Sequence, residues 1–253
     1  MNELIIHIPH SSHFIPEEYK DLFYISEKEI FTEQLKMTDS YTDELFNIEN
    51  ITKLVFPISR VICDVERFRD ETREEMTKQG MWVCYTSTSE LKPLKKVTPE
   101  HKIDILENYY DKHHNRFEQL TEQKLNKFGK CLIIDAHSFS SVSLPYELHS
   151  QNTRPDICIG TDEFHTPKDI VDYLYNSFSK SGYRVGINNP FCGTIVPLKY
   201  YEKNKNLRSV MIELNRSLYM DEKTGIKTDK FSVLKNDLQK ITENLFSYIT
   251  KCR

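Results

Sequence analysis

Glycine is scarce in this chain, with seven in 253 residues. No Gly/Ser/Pro-rich linker, low-complexity tract or internal repeat interrupts it, which argues against a repeat array or a string of tethered domains. Six cysteines occur, at 63, 84, 131, 158, 192 and 252, and none forms a C-x-x-C pair. That spacing argues against a zinc ribbon or a disulfide framework. Most lie inside apolar runs ("VICDV", "WVCYT", "KCLII", "DICIG"), where a thiol behaves as a small hydrophobe, so a reduced, cytoplasmic protein with buried thiols is expected. No apolar run approaches the ~20 residues of a membrane helix. The opening "MNELIIHIPH" lacks the basic start and long apolar core of a signal peptide. No Lys/Arg-rich cluster stands out and the formal net charge is −4, so neither nucleic acid nor a membrane surface is an expected partner. Tyr and Phe, 14 of each, are scattered and read as core. Nothing in the sequence speaks to oligomeric state.

The composition, 38% hydrophobic and 28% charged, is that of a soluble protein, and the length suits one domain over residues 1–253 with a sizeable core. Short, β-branched apolar runs predict strands at Leu4–Ile8, Lys53–Phe56, Val61–Val65, Trp82–Tyr85, Cys131–Ile134, Ile157–Ile159, Tyr183–Ile187 and Val210–Leu214. Helical patterns lie between them. The clearest has Thr98 as N-cap, Pro99 in the first turn and Gly129 just past its end. Its apolar stripe is Ile103, Leu106, Tyr110, Phe117 and Leu120. A second runs from Thr166-Pro167 to Lys180 and a last one from about Ser232 to Thr250. Strands alternating with helices predict an α/β fold with helices on both faces of a mixed, mostly parallel sheet. In such folds ligands bind at the carboxyl ends of strands.

Those ends carry the polar residues of interest. "IHIPHSSHF" offers His7, which either faces a core hydrogen bond or solvent, and His10 and His13 in the following loop. The latter pair either reaches a metal or simply makes the loop polar. In "MTDSYTDELF", Asp39 stands where a helix begins, and an acid there is ordinarily a cap. Arg60 and Arg67 flank "VICDVE". They are either surface charges or a clamp for a carboxylate, which a planar guanidinium grips with paired donors. "KCLIIDAHSF" runs from an apolar strand straight into Asp135, His137 and Ser138. Glu213 lies within the apolar "SVMIELN", where a carboxylate is costly unless paired or functional. It is either a buried partner of Arg216 or a base with a raised pKa. His113, His114 and His165 read as satisfied structural histidines.

Seven pieces in order resemble the N-formylglutamate amidohydrolase family: "IPHSS", "DSYTDELF", "SRVICDVERF", "DAHS", "RPDICIGTD", "NNPFCGTIVP" and "MIELNRSLYMD". They span nearly the whole chain. The family is similar to zinc carboxypeptidases, so the resemblance implies a three-layer α/β/α fold of zinc-carboxypeptidase type and one zinc-activated water. It places His10 and His137 as zinc ligands, Glu213 as general base and Arg67 as the carboxylate-binding arginine. Two departures stand out. The acid usual three residues after the first histidine is replaced by His13, so Asp39 is taken as the remaining ligand, with His13 as alternative. Glu66 stands where asparagine is usual. "PHSS" also replaces the commoner Pro-His-Ser-Gly. Asp135 is expected to orient a neighbouring ligand or an arginine from behind.

The expected activity is therefore zinc-dependent hydrolysis of a small N-acyl amino acid, foremost N-formyl-L-glutamate to formate and glutamate. Glu213 would accept the proton of the attacking water and pass it to the leaving amine. Arg60 or Arg67 would support the oxyanion while the other grips a substrate carboxylate. Two alternatives are a carboxypeptidase or peptidoglycan amidase on the same scaffold, and a metal-free binding protein that has lost catalysis.

Overall fold

The computed structural model describes residues 2–147 and 153–251. Six strands form one sheet: β1 (Leu4–Ile8), β2 (Thr52–Val55), β3 (Cys131–Phe139), β4 (Ile157–Gly160), β5 (Val185–Ile187) and β6 (Leu207–Asn215). Their spatial order is β2-β1-β3-β6-β4-β5. All neighbours are parallel except β4 and β6, which run antiparallel. Six α-helices accompany them: α1 (Glu27–Met37), α2 (Thr42–Leu45), α3 (Pro99–Ile105), α4 (Asp111–Phe128), α5 (Lys168–Lys180) and α6 (Phe231–Lys251).

Strand alternation splits the core into two layers. Leu4, Ile6, Ile8, Leu132 and Ile134 pack with α5 and α6 through Leu174, Phe178, Leu238 and Leu245. Ile5, Ile133 and Leu207 face the other way, onto Phe117 and Leu120 of α4. The result is the expected α/β/α sandwich. Within the described residues no helix is long and apolar enough to cross a membrane.

The expected strands at Val61–Val65 and Trp82–Tyr85 do not form. Both runs are buried, but as irregular chain in a separate apolar cluster with Tyr19, Phe56 and Tyr110. Their backbone finds local partners instead of a ladder: Asp64 N–H donates to Val83 O at 2.8 Å and Ile62 N–H to Ser59 O at 2.9 Å. An apolar run records burial, whereas a strand also needs a neighbour in register. β3 and β6 are longer than expected, so His137 lies inside its strand, as Glu213 does in the strand expected for it, and the two are register partners. Four of the six thiols are buried as expected; Cys192 is exposed, and Cys252 lies outside the described residues.

The long helix is interrupted. Thr98 caps α3 and Gly129 closes α4 at φ 73°, a left-handed geometry that glycine adopts without strain. Between α3 and α4, Leu106–Tyr110 forms a π turn. The wider turn shifts the phase of the helix. Ile103 is left exposed, while Leu106, Tyr110, Phe117 and Leu120 are buried. His113 then meets the sheet at His7, with Nε2 to Nε2 at 2.9 Å.

Candidate active site

At the carboxyl end of β1 and β3, three side chains converge. His10 follows Pro9 at the exit of β1, and its carbonyl accepts the Asp39 N–H at 2.9 Å. This bond draws the loop ahead of α2 towards the sheet edge. Asp39 Oδ2 lies 3.6 Å from His10 Nδ1 and 3.0 Å from His137 Nδ1. All three residues are buried and form one group able to hold a metal ion. Asp39 is thus no helix cap. The residue at the start of α2 is Tyr41, which makes no side-chain cap. His13 stands apart, with Nε2 on Ser40 Oγ at 2.8 Å.

The donor set fits a zinc ion. His10 Nδ1 is buried and has no hydrogen-bond partner. Its other nitrogen, Nε2, lies 2.8 Å from Asp64 Oδ1. A histidine whose far N–H is held by a carboxylate presents a free lone pair at the near nitrogen, the arrangement usual behind a metal-ligating imidazole. Two nitrogens and a carboxylate oxygen leave the fourth position of a tetrahedral ion open, as a catalytic site requires.

Asp64 is a hub that inspection of the sequence did not single out. Besides His10 it accepts from Arg60 Nη2 at 2.8 Å, Tyr85 OH at 2.5 Å and the Glu66 N–H at 3.0 Å. Arg67 Nε lies 3.5 Å away. Burial would raise its carboxyl, but Arg60, His10 and Arg67 hold it well below the usual range. Burial likewise opposes ionisation of Asp39, and the neighbouring His10 ring, the hydrogen bond with His137 and the charge of Arg216 overcome it. Arg216 therefore serves Asp39, at 2.9 Å, and Ser138, rather than pairing with Glu213.

Glu213 sits beside His137 across the β3–β6 pair. Its Oε2 is buried without a partner. Burial pushes its carboxyl up to about 8; His137 and Arg216 pull against that and Asp39 adds to it. His137 moves up as well. Burial would lower it, but the charges of Glu66 and Asp135 hold it well above the ordinary histidine range.

His10, Asp39, His137, Glu213, Arg60 and Arg67 all line one cleft of ≈ 220 Å³, so these six are brought together, while the alternative ligand His13 is not among its lining residues. That volume is below the roughly 300 Å³ at which drug-sized pockets begin. Two guanidiniums share the single carboxylate of Asp64, and Nε of each is buried without a hydrogen bond. Glu66 does not neutralise this pair. Its carboxylate turns to His137 Nε2 at 3.1 Å and His7 Nδ1 at 3.8 Å, and among the described residues it forms no ion pair with Arg67. The cleft can thus take a small anion next to an acid–base group and a metal-binding set.

Comparison with known proteins agrees in family and fold. The N-formylglutamate amidohydrolase family model matches residues 2–220. No curated protein matches the chain. Among solved structures, the crystal structure of N-formylglutamate amidohydrolase from Ralstonia eutropha is similar at 21% identity and a TM-score of 0.87, covering 100% of this chain and 95% of that one. A gene product from Agrobacterium tumefaciens is similar at 16% identity and a TM-score of 0.68, covering 98% of this chain and 92% of that one. At these identities the likeness speaks to fold.

Proposed function

The chain belongs to the N-formylglutamate amidohydrolase family, and on that premise we propose that it is a zinc-dependent hydrolase of small N-formyl amino acids, with N-formyl-L-glutamate as first substrate. The observation that carries the reading is the convergence of His10 Nδ1, Asp39 Oδ2 and His137 Nδ1 in one cleft with the unpartnered Glu213 carboxyl.

His10, Asp39 and His137 would hold the ion. Zinc bound there supplies Lewis acidity, brings a water towards neutral pKa and draws the Glu213 carboxyl back towards ionisation. Glu213 then accepts a proton from the attacking water and delivers it to the nitrogen of the leaving amine. Asp64 fixes the His10 ring, and Arg216 with Ser138 fixes Asp39. Arg60 and Arg67 carry one positive charge beyond what Asp64 compensates. One guanidinium takes a substrate carboxylate and the other faces the developing oxyanion. The small cleft favours an amino-acid-sized substrate over a peptide or glycan strand.

Formate release across a panel of N-formyl and N-acetyl amino acids tests the reading. N-formyl-L-glutamate should exceed N-formyl-L-methionine, and N-acetyl-L-glutamate should be slow. A preference for neutral or basic substrates would reject the glutamate assignment, and no formate from any of them would reject the deformylase.

A further inference from the structure

Behind His137 lies a second group of ligating atoms that the proposed mechanism does not use. His7 and Asp135 are register partners on β1 and β3. His7 Nδ1 is 2.9 Å from Asp135 Oδ1 and 3.8 Å from Glu66 Oε1. His7, Glu66 and Asp135 all offer ligand atoms within 4.8 Å of one another. His7 and Asp135 are 0% and 1% exposed. Neither carboxylate has a lysine or arginine within 4.0 Å among the described residues, and their only ionic neighbours are His7 and His137.

A further atom points into the same space. His137 Nε2 is 3.1 Å from both Glu66 Oε2 and Asp135 Oδ1. It is buried, in a residue 4% exposed, and makes a hydrogen bond to neither. Glu66 Oε1 is also buried without a partner. Behind His7, Nε2 lies 2.9 Å from His113 Nε2. Without an ion His7 Nδ1–H donates to the Asp135 carboxylate; His113 Nε2 can accept from His7 Nε2–H instead, the tautomer that frees Nδ1 for a metal. Glu66 and Asp135 also line a second cleft of ≈ 550 Å³, a route for a hydrated ion.

We infer that His7, Glu66 and Asp135 form a second divalent-cation site, on the Nε2 side of the His137 ring and separate from the His10–Asp39–His137 set. Imidazole nitrogen with two carboxylates is a donor set for a zinc- or manganese-class ion rather than for calcium or magnesium, which take oxygen alone. The ion neutralises the two carboxylates and braces the back of His137. The glutamate at position 66 gains a role here that an asparagine could not fill as well, since it adds a negative charge facing the histidines.

The test counts zinc bound by the full-length, metal-stripped chain after equilibrium dialysis against Zn²⁺ alone, and locates it by anomalous density. Wild type should bind two equivalents, one on each side of His137. Glu66→Gln should bind one, retained at His10, Asp39 and His137. Asp39→Asn should bind one, retained at His7, Glu66 and Asp135. Because Glu66 is on the cleft wall, its variant should fold; circular dichroism and the retained zinc check this. One equivalent in both wild type and Glu66→Gln would overturn the second site while leaving the proposed hydrolase untouched. Density at the exposed Cys192 in place of the second position would overturn it too. Loss of zinc from Asp39→Asn alone, to none, would overturn the inference that the two sites are separate.

Discussion

Replacing Glu213 with glutamine separates catalysis from stability. The amide keeps the shape of the carboxylate but cannot accept a proton. Turnover should fall roughly 100-fold or more, the usual scale for losing general-base help. That is about 2.7 kcal/mol of barrier at 1.36 kcal/mol per factor of ten. Zinc should still bind. The effect on the metal-free fold runs the other way. Burial raises the carboxyl from its ordinary 4.5 to about 8. The folded state therefore holds a proton that the unfolded chain has released over that interval. The associated stability is fully present below about pH 4.5 and is lost as pH rises through 8. At 1.36 kcal/mol per unit the loss has a ceiling of about 5 kcal/mol. His137, also raised, loses stability in the same direction, so the variant should flatten the pH dependence without abolishing it. Urea unfolding of metal-free wild type and Glu213→Gln at pH 5 and pH 8 measures this. The two proteins should be similar at pH 5, with the variant the more stable at pH 8. Near-normal turnover, or identical loss of stability in both proteins, would refute the assignment of Glu213 as a buried base.

Arg67→Lys keeps the charge but loses the planar two-point grip. It should lower kcat/KM more for N-formyl-L-glutamate than for N-formyl-L-methionine, by an amount on the order of 2–5 kcal/mol for the acidic substrate; equal losses would place the carboxylate elsewhere. Asp64→Asn leaves Arg60, Arg67 and His10 without their common anion. Metal-free protein should lose roughly 3–5 kcal/mol in urea unfolding. Zinc affinity by chelator competition should drop about 10–100-fold as the His10 ring loses its anchor. Unchanged affinity would mean that His10 is not a ligand.

The sandwich was legible because alternating apolar runs and capped helices are local signals. Thr98 and Gly129 act where their chemistry requires. Val61–Val65 and Trp82–Tyr85 misled because burial is written in one segment and pairing in two. The same distinction governs the site. His10, Asp39, His137, Glu213, Arg60 and Arg67 could each be picked out by type and position with the help of family resemblance. What escaped was partnership. Arg216 follows Glu213 closely in sequence, yet it reaches across to Asp39 from a turn after β6. The Asp64 hub and the His7–Asp135 pair depend on contacts 54 and 128 residues apart. The sheet register creates the His7–Asp135 pair, and the irregular buried chain around Val61–Val65 carries Asp64 to His10.

The most direct measurement is formate release from N-formyl-L-glutamate by one preparation of enzyme, loaded with zinc, stripped with a chelator and then reloaded. The loaded enzyme should release formate and glutamate in equal amounts, lose turnover on stripping and recover it on reloading. Asp39→Asn should not recover at the same zinc concentration. Undiminished turnover by enzyme shown by elemental analysis to be free of metal would contradict the zinc-dependent mechanism.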